Sequence, residues 1–263
     1  MKYFLGVQND SVFDRLTYAN HKKILFSHHY FNSKARVKKV LEKNMDHDIM
    51  VDSGAFTAWS TGKPVSLEEV RDFYKFCQDI KPDLLFINLD QIPGKRGRKP
   101  TKEQAEEACK VSWHNYQSLK KDIHNLLPVF HEDDDFKYLE MMKKETNFIA
   151  ISPANDSSTK RRMQWLDVVY SNLKADYKTH GLAATSVPIM QRYPFYSVDS
   201  VNYRAFAMYG RGESHSREML LSKRKNSNSQ THYVERVIQD EIKAYQKIEA
   251  DITRLWKGRG VEW

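Results

Sequence analysis

Short apolar runs alternate with charged, helix-periodic segments along most of the chain, and this alternation restricts the fold more than any other feature. Strands are predicted at the apolar runs 24–26, 49–51, 84–89, 126–130, 148–151, 181–187 and 196–198, with 3–7 as an extra strand. Helices are predicted between them at 34–44, 66–79, 101–121, 134–144 and 160–176. Strands that alternate with helices form a parallel sheet. We therefore expect an α/β fold, a (β/α)8 TIM-like barrel, with a doubly wound sheet as the competing arrangement.

The chain of 263 residues suits a single domain. Residues 1–221 are expected to form the barrel. The polar and basic stretch 222–231, which reads SKRKNSNSQT, is typical of a loop. Apolar residues then recur at helical spacing through 232–263, which predicts a C-terminal helix packed on the barrel.

The formal net charge of +8 favours a polyanionic partner, although a merely basic surface explains the charge as well. Cys77 and Cys109 are too few for a disulfide framework or a zinc subdomain, so we expect no metal and a reducing, cytoplasmic compartment. No stretch approaches the roughly 20 apolar residues that span a bilayer, so no membrane partner is expected.

Acidic residues stand at the carboxyl ends of several predicted strands, where barrel enzymes place their active sites. Asp52 follows an apolar run and precedes Gly54. Asp90 ends the run LLFINLD, and Asp199 follows YPFYSV. Each has an ordinary structural explanation as well: an Asx turn or a helix cap for Asp52, an ion pair with a nearby cation for Asp90, and a helix N-cap for Asp199.

His131, in the segment VFHEDD, is a candidate general base or zinc ligand. Metal binding needs further ligands at suitable spacing, and none is visible in the sequence. A histidine that stands alone is more often a structural residue whose hydrogen bonds are satisfied.

Cations cluster in two segments that should lie on the same face of the barrel as the acids. Such residues suit contacts with a phosphate backbone, although charge runs are usually solvated surface. The candidates are Lys95, Arg96, Arg98 and Lys99 in the loop GKRGRKP, and Lys160, Arg161 and Arg162 in the run KRR.

Four segments together resemble the tRNA-guanine transglycosylase superfamily, most closely its phage-type members that place 7-deazaguanines into DNA. They are DSGAF at 52–56, NLD at 88–90, HG at 180–181 and YPFYSVDSVNY at 193–203. The segments occur in the order of the family and extend over most of residues 50–205.

The resemblance implies a pentosyltransferase that exchanges guanine in DNA for a 7-deazaguanine such as 7-cyano-7-deazaguanine. Asp199 would be the covalent nucleophile, Asp52 the acid/base and Asp90 the reader of the base edge. The base pocket would also include Ser53, Gly54, Phe56, His131 and Gly181. Its partners would be DNA, with tRNA as the alternative, and the free 7-deazaguanine base. No cofactor is implied.

The sequence also departs from the family. Ala55 stands where the tRNA enzymes usually have a second glycine, VFHEDD replaces their Gln-Gly-Gly segment, and no cysteine follows Cys109 to form their zinc motif. Two other functions therefore remain open: a barrel hydrolase or lyase that acts on a small anionic metabolite, and a barrel that binds nucleic acid without catalysis.

Overall fold

Nine parallel strands form one sheet in the described part of the chain. The structure, a computed structural model, describes residues 1–9, 13–14, 16, 19–31, 33–94, 98–154, 157–173, 177–201 and 230–263. The strands are β1 (Lys2–Val7), β2 (Lys23–Ser27), β3 (Asp48–Asp52), β4 (Leu85–Ile87), β5 (Leu126–Leu127), β6 (Val129–His131), β7 (Phe148–Ser152), β8 (Lys178–Gly181) and β9 (Ser197–Ser200).

Pro128 explains why the sheet has nine segments although the fold has eight strand positions. The order of strands is β5-β4-β3-β2-β1-β9-β8-β7-β6, so that β5 and β6 lie at the two ends. Only Pro128 separates these two segments along the chain, and a proline has no N–H to give to a strand partner. Its carbonyl still accepts from the N–H of Ala150 at 2.9 Å. The sheet thus closes through Pro128 into the expected TIM-like barrel.

The helices lie between the strands, with α8 at the end of the chain. They are α1 (Lys34–Lys43), α2 (Ala55–Thr61), α3 (Leu67–Ile80), α4 (Lys102–Leu119), α5 (Phe136–Glu145), α6 (Thr159–Asn172), α7 (Val187–Arg192) and α8 (Gln230–Gly258). The predicted capping box at Ser66 and Glu69 begins α3. The helical spacing of residues 232–263 is confirmed by α8, which contacts α7 and β1.

Two apolar layers stabilise the barrel. The smaller layer fills the interior of the barrel with Phe4, Met50, Ile87, Leu127, Val129 and Ala150, each at most 1% exposed. The larger layer lies between the sheet and the helices. Each such residue contributes about 1.5–3 kcal/mol when it is fully buried.

The sequence prediction is wrong at one strand. The apolar run 181–187 was expected to be a strand, but β8 ends at Gly181, and α7 begins at Val187. Ala183 lies between them with a φ of 49°, a left-handed conformation that no strand contains. The short helix α2 was not predicted, because seven residues are too few to show helical periodicity.

The expected loop at 222–231 lies largely outside the described residues, which resume at residue 230. None of the helices in the described ranges is long and apolar enough to cross a membrane.

Gly181 is required by close packing, and its replacement is a test of the fold. A Cβ at this position would lie 2.8 Å from Cβ of Ala184 and 2.9 Å from the ring of Phe195. We expect Gly181→Ala to lower the free energy of unfolding by about 1–3 kcal/mol, as overpacking does. Gly258→Ala is the matched control, since a Cβ there meets nothing within 4 Å. Urea unfolding of both variants measures the difference, and equal stability would contradict this packing.

Candidate functional site

Strand alternation turns polar side chains into the mouth of the barrel. Successive side chains of a strand point to opposite faces, so a residue two positions after an interior residue also points inward. Asp52 follows the interior residue Met50 by two positions, and His131 follows Val129 in the same way. Asp199 pairs in register with the interior residue Phe4. The sheet therefore brings these three residues to one end of the barrel, although they are far apart in sequence.

A cavity of about 530 Å³ opens at this end. Four ionisable side chains at the mouth of the barrel line this cavity: Asp52, Asp90, Asp199 and His131. Phe56 also lines the cavity and is 53% exposed at its rim. Such a volume is ordinary for a small-molecule site, for which about 300–1,000 Å³ is typical.

Asp52 is a carboxylate in a poorly solvated position. Its Oδ2 accepts the N–H of Gly54 at 2.9 Å, so the Asx turn expected from the sequence is present as well. Burial, followed by the negative charge of Asp90, raises the pKa of Asp52 to about 6. The negative charge of Asp199 adds to this shift in pKa. A group with such a pKa exchanges its proton near neutral pH.

Asp90 and His131 form a buried ion pair. His131 Nε2 lies 2.7 Å from Asp90 Oδ2, and the two side chains are only 13% and 8% exposed. Burial lowers the pKa of His131, but the hydrogen bond and the charge of Asp90, helped by Asp134 and Asp133, outweigh burial and raise it to about 9. Asp90 is therefore paired, as its alternative explanation had it, and its partner in the described part of the chain is His131.

A second carboxylate fixes the backbone of His131. Asp134 Oδ2 accepts the N–H of His131 at 2.8 Å, while the thiol of Cys109 donates to Asp134 Oδ1 at 3.1 Å. Burial raises the pKa of the Asp134 carboxyl and, to about 12, that of the Cys109 thiol. Cys109 thus serves as a hydrogen-bond donor.

Asp199 lies in β9 and is not a helix cap. Its Oδ1 accepts the N–H of Ala183 at 3.0 Å. The fully buried His180 places Nε2 3.3 Å from the same oxygen, without hydrogen-bond geometry, and its Nδ1 lies 2.8 Å from Ser197 Oγ. The left-handed backbone of Ala183 is thus coupled to the orientation of Asp199.

Three predicted base-pocket residues lie behind the cavity wall. Ser53 is fully buried, and its hydroxyl donates to the carbonyl of Asn88 at 3.2 Å. Gly54 has a φ of 85° and donates its N–H to Asp52. Gly181 packs against Phe195. These residues position the site, and none of them belongs to the described lining of the cavity.

The predicted cations have different surroundings. Arg98, Lys99 and Lys160 are exposed, whereas Lys95 and Arg96 lie outside the described residues. Arg161 pairs with Glu132, at 3.1 Å. Arg162 donates to the carbonyl of Ala183 at 3.0 Å, and burial lowers the pKa of its guanidinium. Arg162 therefore fixes the loop that contacts Asp199.

Sequence reasoning missed Ala183 and gave no role to His180. The HG motif, which ends two residues before Ala183, is the only sequence signal near that residue. The segment LAA that follows the motif does not indicate a left-handed backbone. In the described ranges, no cluster of histidine, cysteine and acidic side chains could hold a metal ion.

Comparison with known proteins finds similar solved structures only at low identity. No family model and no curated protein matches the chain. Similar solved structures include N-acetylneuraminate lyase from Fusobacterium nucleatum, at 10% identity and a TM-score of 0.49, covering 99% of this chain and 88% of the lyase. Fructose-bisphosphate aldolase from Campylobacter jejuni has 11% identity and a TM-score of 0.47, with 97% and 90% covered. Native KDPGal has 9% identity and a TM-score of 0.49, with 95% and 97% covered.

The two structures named in full are a lyase and an aldolase, so the expectation of a pentosyltransferase finds no support among them and is not carried further. At such identities and TM-scores no activity, substrate or site residue is carried over from them.

The raised pKa of Asp52 predicts a cost in stability. An acid whose folded pKa lies above its unfolded value stabilises the fold most below the unfolded value, and this stability is lost as the pH rises to the folded value. For Asp52 the window runs from 3.8 to about 6. At pH 7.5, Asp52→Asn should therefore raise the free energy of unfolding by about 1–3 kcal/mol relative to wild type, and at pH 4 by much less.

Urea unfolding at both pH values measures this difference. Asp79→Asn, at an exposed position of α3, is the control and should change little at either pH. A stabilisation by Asp52→Asn that is independent of pH, or none at all, would contradict the assigned burial.

Proposed function

We propose that the protein is a barrel hydrolase or lyase that uses Asp52 and Asp199 for acid–base chemistry on a small substrate. The observation that carries the proposal is the presence of these two carboxylates at one cavity in different surroundings. Asp52 lies where burial and like charge raise its pKa to about 6, whereas Asp199 is held by a backbone N–H. Two acids in unequal environments are a common basis for acid and base roles.

Asp52 is the proton-transfer group of this proposal. In its acid form it would donate a proton to a leaving group, and in its base form it would accept one from the substrate. The N–H of Gly54 fixes the carboxylate at 2.9 Å. Asp52 therefore needs no rearrangement to meet a substrate in the cavity.

Asp199 is the charge-stabilising group. The N–H of Ala183 holds Oδ1, and in the described part of the chain no hydrogen bond reaches Oδ2. Asp199 also lines the cavity, so its carboxylate can meet a substrate there. Positive charge that develops on a carbon during cleavage of a C–O or C–N bond would be stabilised there.

The charge of the cavity indicates the character of the substrate. Asp90 is paired with His131, and the described lining contains no lysine or arginine, so Asp52 and Asp199 leave the cavity acidic. An anionic metabolite, which the sequence left open, would be repelled by these acids. A substrate that presents N–H groups or positive charge would find acceptors instead.

A panel of candidate substrates tests the proposal. Nucleosides and aryl glycosides report hydrolysis, and 2-oxo sugar acids, whose carboxylate the acidic cavity should repel, are the negative control. We expect turnover of at least one donor-bearing substrate, with a pH dependence that has a midpoint near 6. Asp52→Asn should lower the rate about 10²- to 10⁴-fold, the usual contribution of a general acid or base. Asp199→Asn should also lose activity, whereas Asp79→Asn should retain it. Full activity in Asp52→Asn and Asp199→Asn would refute the proposal.

The family relationship stays a prediction. The segments DSGAF, NLD and YPFYSVDS each bring an acid to the same cavity, which supports a common origin with the tRNA-guanine transglycosylase superfamily. A common origin does not imply that this protein catalyses the reaction of that family.

A nucleic-acid partner also stays a prediction, supported by the exposure of Arg98, Lys99 and Lys160. If DNA binds there, changing these three residues to alanine should weaken binding to all sequences alike. Each lost phosphate contact should flatten the plot of log affinity against log salt by about 0.9 on duplex DNA. Titrations at several salt concentrations measure this slope, and an unchanged slope would make these cations ordinary solvated surface.

A further inference from the structure

Helix α2 separates two cavities. Its residues Phe56, Thr57, Ser60 and Thr61 line the cavity that holds the carboxylates. Its residues Ala55, Ala58 and Trp59, followed by Gly62, line a second cavity of about 360 Å³ on the other side. The two sets alternate at helical spacing, so each cavity receives one face of the same helix.

The second cavity is lined mainly by uncharged apolar groups. Trp59 forms part of one wall, Val111 of α4 part of another, and Val65 and Leu67 lie near the start of α3. The one charged residue in the described lining is Asp90, whose carboxylate is paired with His131. A charged ligand would therefore gain little here, whereas a flat apolar ring could pack against the indole of Trp59.

The size of this cavity fits a small ring. An apolar cavity of about 150 Å³ is large enough for benzene. The present cavity has about 360 Å³, which leaves room for one bicyclic ring. Trp59 is held in place, since its Nε1–H donates to the carbonyl of Gly94 at 3.0 Å.

The ends of α2 connect the second cavity to the acid–base group. Gly54 and Gly62 flank the helix, both in the left-handed conformation, with φ of 85° and 69°. The N–H of Gly54 is the donor that holds Asp52 Oδ2. A change in the position of α2 would thus alter the hydrogen bond to Asp52.

We propose that the cavity between α2 and α4 is a second binding site, for a small uncharged aromatic molecule, and that its occupation acts on Asp52 through α2. Binding itself is independent of the proposed reaction. Its consequence for catalysis rests on the role proposed for Asp52.

Indole is the probe, because it is a small, uncharged aromatic bicycle. Calorimetric titration of wild-type protein should show binding with a dissociation constant below about 1 mM. Ala58→Leu places a larger side chain in the second cavity and should weaken binding at least about tenfold. Thr57→Leu is the matched control on the opposite face of α2 and should bind as wild type does. Val111→Phe fills the same cavity from α4, and it replaces Ala58→Leu if that variant does not fold.

The amide resonance of Gly54 reports the connection to Asp52. It should shift with indole binding in wild type and in Thr57→Leu, and should stay constant in Ala58→Leu. Absence of binding to wild type, or its loss in Thr57→Leu with retention in Ala58→Leu, would overturn the second site. Binding that leaves Gly54 unmoved would overturn its action on Asp52. Neither measurement depends on turnover, so a failure of the second site can be told apart from a failure of the proposed function.

Discussion

The apolar filling of the barrel interior is the constraint on which the site depends. The interior contains four side chains that are each at most 1% exposed: Phe4, Met50, Val129 and Ala150. Because side chains alternate along a strand, this packing fixes which residues of the following turns point into the mouth. A slip of one residue in β3 would bury Asp52 among the helices and turn a valine into the cavity. The chemistry at the mouth is therefore set by the packing beneath it.

The same arrangement imposes an electrostatic cost. Three aspartates meet at one cavity, where the nearest ionisable partners in the described part of the chain are two histidines, His131 beside Asp90 and His180 beside Asp199. Burial, followed by the negative charges of Asp90 and then Asp199, raises the pKa of Asp52 to about 6. Asp52 therefore lowers the stability of the fold at neutral pH, at the same position to which the proposed function assigns proton transfer. Such a conflict between stability and local charge is typical of functional sites.

Much of the barrel could be predicted from the sequence. The apolar runs at 24–26, 49–51 and 148–151 lie within β2, β3 and β7, and the capping box at Ser66 begins α3. The prediction was wrong for 181–187, because Ala183, two residues after Gly181, has a left-handed backbone that its residue type does not indicate. Helix α2 has too few residues to show a period, although it separates the two cavities.

The site was predicted in part. Asp52, Asp90, Asp199 and His131 all line the cavity, since strand ends of a parallel barrel converge. Their partners could not be read from the sequence: the pairing of His131 with Asp90 joins residues 41 positions apart, and that of Ala183 with Asp199 is a backbone contact. Tertiary packing decides such contacts.

The titration of Asp52 tests the account most directly. Carbon NMR of the labelled aspartate carboxyl groups, with Asp52→Asn to assign the resonance, gives its midpoint in the folded protein. The account predicts a midpoint near 6, lowered in Asp199→Asn because a like charge is removed. A midpoint close to the ordinary value of 3.8, unchanged in Asp199→Asn, would contradict the burial and the charge coupling on which the proposed function rests.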